Sequence, residues 1–327
     1  MRRALIVGID NYDFSPLKAA VNDAVKVKSL LKRHEYGGVN FDCKLLINRR
    51  DDDPDKQASE RRINRPLLKE QIYQLFSNDA DVALLYFSGH GEETDFGGFL
   101  VTQDAYRFDE GVSLNDIITM ANKSKVREIV IILDCCYSGK MGNSFLSDQY
   151  SSTLREGISI ISSSRSYQTS AESAGHGHFT RLLCEALEGE AADILGNINV
   201  AGIYHYIEQV LNTWEQRPVF KSNVSSMLSI RKCYSRIPLR ILRKLPEYFS
   251  DEDSTILLGP EYEINATPDN HDKELIYSNL LLFESAGLVT PVDRKLEHLS
   301  VALEENQPCK LTRQGQFYYK MAEKQRI

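Results

Sequence analysis

The chain has 327 residues, of which 42% are apolar and 26% charged, with a formal net charge of −7. It is long enough for a large domain plus a small one, and its composition is ordinary for a globular protein. No apolar run approaches the roughly 18 residues that a membrane helix needs. The acidic balance argues against general nucleic-acid affinity, which depends on clustered Lys and Arg displacing counterions. The six cysteines at 43, 135, 136, 184, 233 and 309 show no metal-type spacing beyond one adjacent pair, so a reducing, cytoplasmic setting is the default expectation.

Met1-Arg2-Arg3 before an apolar run looks superficially like a secretion signal, but the run is short and meets Asp10, so residues 4–9 read as a strand. Further strands are expected at 43–47, 82–87, 128–133 and 158–161, separated by helix-period segments such as 67–76 and 114–120. That alternation implies an α/β fold, a mainly parallel sheet with helices on both faces. Residues 49–64, with charges of alternating sign and Pro54, read as an exposed loop, and residues 140–153, with Gly142, Asn143 and several serines, as another.

Beyond about residue 235 the character changes. Residues 236–244 are basic and Asp251-Glu252-Asp253 acidic, which marks a connection and divides the chain into domains at 1–235 and 236–327. In the second, a helix over 275–286 closes at Gly287 and an extended stretch follows at 288–292. Residues 299–303 and 309–311 are expected to pair as a hairpin, and Thr312 to cap a last helix carrying Phe317, Tyr318 and Met321. This order resembles a winged-helix module, a small α+β domain.

Two of the strands end in chemistry. Residues 128–133 run into Asp134-Cys135-Cys136-Tyr137-Ser138-Gly139, and residues 82–87 into Ser88-Gly89-His90-Gly91. Parallel strands deliver their carboxyl ends to one sheet edge, where such folds place ligands, so a thiol and an imidazole can meet there. A cysteine peptidase needs a thiolate, a histidine to exchange protons with it and with the leaving amine, and backbone donors for the oxyanion. Cys136, His90 and the amides near Gly91 and Cys136 would supply these. A cysteine otherwise reads as a small buried hydrophobe. Cys135 takes that part, because successive side chains of an extended segment point to opposite faces.

His90 precedes Cys136 by 46 residues, and the two motifs resemble those of the caspase and metacaspase superfamily of cysteine endopeptidases. Arg3 to Tyr12 resembles the family's first strand and turn, and the segment 17–24 with Asn22-Asp23 its first helix. Residues 158–164 and Gly177-His178-Phe179-Thr180 resemble a later strand and helix start. These motifs occur in the family's order and cover about residues 1–235, roughly 70% of the chain.

The resemblance implies a caspase-like sheet with His90 and Cys136 catalytic and the amides of Gly91 and Cys136 forming the oxyanion hole. Caspases carry glutamine two residues before the nucleophile, whereas metacaspases, like this chain, carry aspartate. Asp134, with Asp23 and Ser88, would then line the pocket for the residue before the cut bond. Two carboxylates there favour a guanidinium or an ammonium through charge-assisted hydrogen bonds, so the expected substrate is a protein or peptide cut after Arg or Lys. The plainer alternative is that Asp23 only caps or solvates a helix start and that Asp134 is only a strand-end turn residue. In caspase relatives the linker after the nucleophile is often cut on activation, which makes Lys140, Arg155 and Arg165 candidate self-cleavage sites.

The chain departs from the metacaspase pattern in three places. Tyr137 stands where histidine is usual. Asp104 matches one acidic position of the calcium site, but no further aspartate follows the cysteine motif at the expected place, so no cofactor is expected to be required and calcium dependence is doubtful. No prodomain precedes the first strand, which shifts regulation to a protein partner of the C-terminal segment. His176 and His178 read as surface-loop residues.

The compact layout points to a bacterial protein, and relatives of that kind serve in stress or antiphage responses. One alternative is a DNA-binding winged-helix regulator with a caspase-fold sensor. Residues 236–327 hold 12 Lys and Arg against 15 Asp and Glu, a balance of −3, which weakens it. The other is a catalytically silent scaffold, against which both dyad residues are present.

Overall fold

Short continuous apolar runs, buried on both faces, build the centre of the main sheet. The computed structural model describes residues 1–77, 79–95, 97–106, 109–135, 153–163, 177–211, 218–263 and 271–327. These form two units, one of Met1–Ala192 with Asn197–Cys233 and the other of Asp193–Gly196 with Tyr234–Ile327.

In chain order the first unit contains β1 (Arg2–Ile9), α1 (Ala20–Lys32), β2 (Asp42–Asn48), α2 (Arg65–Ser77), β3 (Val82–Ser88), β4 (Gly91–Thr94), β5 (Gly97–Tyr106), β6 (Asp109–Ser113) and α3 (Leu114–Lys123). It continues with β7 (Glu128–Asp134), β8 (Ile158–Ser162), α4 (His178–Glu185), β9 (Asn197–Ile198), α5 (Val200–Val210), β10 (Val219–Asn223) and β11 (Arg231–Lys232). The main sheet has the order β10-β8-β7-β3-β1-β2. All neighbours run parallel except the edge strand β10, which is antiparallel to β8.

β3 is buried along its whole length. Ala83, Leu85 and Phe87 point to the face covered by Leu68 and Ile72 of α2 and Ile117 of α3. Val82, Leu84 and Tyr86 point to the opposite face, covered by Ala24 and Val27 of α1, Leu182 and Leu183 of α4 and Ile203 of α5. Burying each large apolar side chain contributes about 1.5–3 kcal/mol, so period two on both faces is what selects a two-sided sheet. The helix α1 lies very close on β1: a Cβ at Gly8 would stand 2.4 Å from the carbonyl oxygen of Ala20. Its first turn is tied down by Asp10, whose Oδ1 accepts from the amides of Ala20 at 2.9 Å and Val21 at 3.4 Å.

Two small sheets accompany this core. β4, β5 and β6 form an antiparallel sheet over residues 91–113, which lack the continuous apolar run of the main strands, and β9 pairs with β11.

The second unit comprises α6 (Leu239–Leu242), α7 (Leu245–Tyr248), β12 (Thr255–Leu257), α8 (His271–Ser285), β13 (Val289–Pro291), α9 (Leu299–Glu304), β14 (Pro308–Leu311) and α10 (Arg313–Glu323). Its antiparallel sheet has the order β12-β14-β13, over a core that includes Leu242, Phe249, Leu280, Phe283, Leu299 and Tyr318. Thr312 caps α10, its Oγ1 accepting from the amide of Gly315 at 3.0 Å. The expected hairpin of 299–303 with 309–311 is corrected: residues 299–304 are helical, and β14 pairs with β13 and β12. Leu299, Ala302 and Leu303 are the residues α9 buries, a three-and-four spacing that suits one helix face and not alternation. Among the described residues no helix is long and apolar enough to cross a membrane.

Candidate active site

The carboxyl ends of β1, β3 and β7 open onto one edge, and the adjacent register Gly8↔Ser88↔Asp134 sets those ends level. His90 follows β3 directly and is half-buried. Its ring packs on Tyr12 from the loop after β1, with centroids 4.6 Å apart, and against Phe14 at 5.5 Å. The Tyr12 hydroxyl donates to the carbonyl of Val101 at 3.0 Å and accepts from the His90 amide at 3.2 Å, so it fixes backbone and ring together. Nε2 of His90 lies 2.7 Å from the carbonyl oxygen of Ser15. Burial lowers the His90 pKa below that of free imidazole, with the Ser15 carbonyl acting in the opposite sense.

Gly91 is buried at the start of β4, opposite Leu100 of β5. Cys135 is 2% exposed and packs in the core with Tyr12 and Leu133, as side-chain alternation from Asp134 requires. Cys136 lies outside the described residues.

Asp23 and Asp134 come together although they stand on different elements. Asp23 on α1 is buried, and its carboxylate accepts from the amide of Gly177 at 3.1 Å. Asp134, half-buried at the end of β7, accepts from the Thr180 hydroxyl at 2.5 Å. A Cβ at Gly177 would stand 3.1 Å from Oδ2 of Asp23 and 3.2 Å from Oδ2 of Asp134, so one atom can touch both carboxylates. Amides at the first turn of α4 supply the positive end of a helix to this pair. Burial nevertheless raises the Asp134 carboxyl pKa above its usual value, against the opposing hydrogen bonds from Thr180 and Ser163 and the charge of His178. Ser88 is buried at the end of β3, on the same face as Tyr86 and level with Asp134.

Other expected residues have different surroundings. The carboxylate of Asp104 accepts from the Arg65 amide at 2.9 Å and the Thr102 hydroxyl at 2.7 Å, so it ties down the start of α2. No group of three or more His, Cys, Asp or Glu suited to a metal occurs among the described residues. The Arg155 guanidinium donates to the carbonyls of Ala121 at 3.1 Å, Val126 at 2.6 Å and Glu156 at 2.5 Å, which makes it an anchor for the chain entering β8. Lys140, Arg165 and His176 lie outside the described residues. His178 is corrected from a loop residue to the first residue of α4, with Nδ1 3.3 Å from the Arg181 guanidinium.

Sequence reasoning missed Tyr12, the Ser15 carbonyl, Tyr86 and Thr180 as parts of the site. The one available signal was the polar Thr180 three residues after Gly177 at a helix start, in an otherwise apolar buried face.

Residues 1–228 match the caspase domain of the C14 peptidases. No curated protein matches the chain. A glycine-flanked histidine and an Asp-Cys-Cys sequence follow neighbouring parallel strands, and the match spans well over half of the sequence; the chain therefore belongs to the caspase-domain family of cysteine peptidases.

Proposed function

We propose that the chain is an endopeptidase of the metacaspase type that cuts peptide bonds after Arg or Lys, with Cys136 as nucleophile and His90 as its proton partner. A carbonyl only accepts hydrogen bonds, so the Ser15 contact assigns the ring proton to Nε2 and leaves the Nδ1 lone pair as the base. Nδ1 takes the thiol proton as sulfur attacks the scissile carbonyl. It returns that proton to the departing amine as the C–N bond breaks, and water, deprotonated by the same nitrogen, releases the acyl group from sulfur. The backbone amides of Gly91 and Cys136 would hold the oxyanion.

The observation that carries the specificity is the convergence of the Asp23 and Asp134 carboxylates on one point. A guanidinium or an ammonium held beside both carboxylates gains charge-assisted hydrogen bonds, whereas a substrate carboxylate meets two like charges. No cofactor is invoked. Incubating the purified protein with a mixed peptide library, with and without calcium, and mapping the cuts by mass spectrometry tests the reading. Cuts after Arg and Lys are expected, and cuts confined to Asp would overturn it. Residues 236–327 would serve as a regulatory module that binds a protein partner. Salt-sensitive, submicromolar binding of duplex DNA by the full chain, lost on removing these residues, would count against that assignment.

A further inference from the structure

A polar chain runs from the interior of the sheet to the carboxylate pair. Tyr86, on the central strand β3, is fully buried on the face that packs against α1 and α4. Its hydroxyl lies 2.5 Å from Oγ1 of Thr180, which lies 2.5 Å from Oδ2 of Asp134. Thr180 is itself completely buried. A threonine hydroxyl has one proton, and an ionised carboxylate can only accept it. The Thr180 proton therefore goes to Asp134, and the Tyr86 proton goes to Thr180. Hydrogen bonds aligned in this way polarise one another in a poorly solvated interior.

Resting on the Arg/Lys reading above, we propose that Tyr86, acting through Thr180, is a positioning residue for substrate selection that holds the Asp134 carboxylate ionised and aimed at a basic side chain. Tyr86 touches neither substrate nor the reacting atoms. Its hydroxyl is the terminal donor of the chain and, unlike water, cannot leave when the pocket fills.

The surroundings of Asp134 make such a donor necessary. Asp23 faces it from α1, adding a like charge, and His178 and Cys184 lie near it on α4. Burial of Asp134 favours its protonated form, which carries no charge for a basic side chain, and Thr180 and Ser163 oppose this. Burial also holds the Tyr86 phenol neutral far above neutral pH, with Asp134 and Asp23 adding to the effect, so the hydroxyl remains a donor wherever the enzyme works.

The test uses the full-length protein and its Tyr86→Phe, Thr180→Val and Thr180→Ser variants with an Arg-ending fluorogenic peptide, over a range of about pH 5 to 9. Alkylation by iodoacetamide reports the thiol independently. Tyr86→Phe is expected to raise KM about five- to tenfold, on the scale of one neutral hydrogen bond, with kcat within about twofold. The acid limb of kcat/KM should move upward and the alkylation rate stay unchanged. Thr180→Val should raise KM further, and Thr180→Ser, which restores the donor, should return it towards wild type. A folded Tyr86→Phe with unchanged KM and acid limb, in a protein that still prefers Arg, overturns the role of Tyr86 and leaves the pocket reading standing. Loss of kcat, alkylation and melting temperature together would reduce Tyr86 to a packing residue. A wild type that ignores Arg and Lys peptides removes the pocket reading and this inference with it. If Tyr86→Phe does not fold, the Thr180 pair decides: rescue by serine supports the chain, and equal defects in both variants refute it.

Discussion

The carbonyl oxygen of Ser15 and Nε2 of His90 lie 2.7 Å apart, so a backbone group that no substitution can delete sets the orientation of the imidazole. The neighbouring Tyr12 is the part of this support open to mutation, since its hydroxyl bonds both the Val101 carbonyl and the His90 amide. Tyr12→Phe leaves those two buried groups short of a partner, at about 1–3 kcal/mol each. Steady-state kinetics should show kcat reduced about tenfold or more with KM little changed, the pattern of a misaligned base. A rise in KM alone would place Tyr12 in substrate binding instead.

The paired cysteines should separate cleanly. Cys136→Ala and His90→Ala are expected to abolish peptide cleavage. Cys135→Ala should keep most of it, with a lowered melting temperature, because the Cys135 side chain fills core space and its loss costs about 1 kcal/mol. Peptide mapping after iodoacetamide treatment should find the label on Cys136. Label on Cys135, with equal loss of activity from both cysteine variants, would reassign the nucleophile.

The main strands were legible because each is a short apolar run ending at a turn, and the strands expected at 4–9, 43–47, 82–87, 128–133 and 158–161 all appear within a residue or two at either end. The β4–β6 sheet was not legible, since Gly97, Gly98 and Gly111 and several acidic residues interrupt any alternation there. α9 was misread because its six residues make fewer than two helical turns, and their apolar content suits a strand equally well. Asp23 and Asp134 were visible only through resemblance to a family. What brings them together is the crossing of α1 over β1 and the start of α4, and neither leaves a local pattern. The Ser15 carbonyl and Tyr86 were beyond reach for a plainer reason: a backbone oxygen carries no sequence signal, and a buried tyrosine in an apolar strand reads as core.

Self-processing, if the protein cuts itself, should spare Arg155. Its guanidinium holds three backbone carbonyls and its amide donates to the Asn122 side chain at 2.9 Å. Entry into an acidic pocket would first break all of these and detach the chain leading into β8. Intact-mass analysis of active wild type is expected to place any cut after Lys140 or Arg165, and Arg155→Gln should lower stability without removing a cleavage product. A fragment ending at Arg155, absent from Cys136→Ala, would contradict this.

Asp134 should cost the fold stability in return for specificity. Burial raises its folded-state pKa above the ordinary value of 3.8, so at intermediate pH the folded state holds the proton more tightly than the unfolded chain. The stabilising contribution is complete below about pH 3.8 and is lost as pH rises through the folded value. Asp134→Asn does not titrate, and other carboxyls cancel in the comparison. The melting temperature of the asparagine variant relative to wild type should therefore climb as pH rises above about 3.8 and level off once pH exceeds the folded-state value. Where wild-type Asp134 is ionised the variant should lose cleavage after Arg by a hundredfold or more, since removing one partner of a desolvated charge pair typically costs about 3–5 kcal/mol. The iodoacetamide reaction of Cys136 should be unaffected. Measured by calorimetry, a stability difference that shrinks as pH rises would mean that the Thr180 and Ser163 hydrogen bonds outweigh burial, and the carboxylate would then be a stabilising helix-end ligand and not a charge held in readiness for substrate.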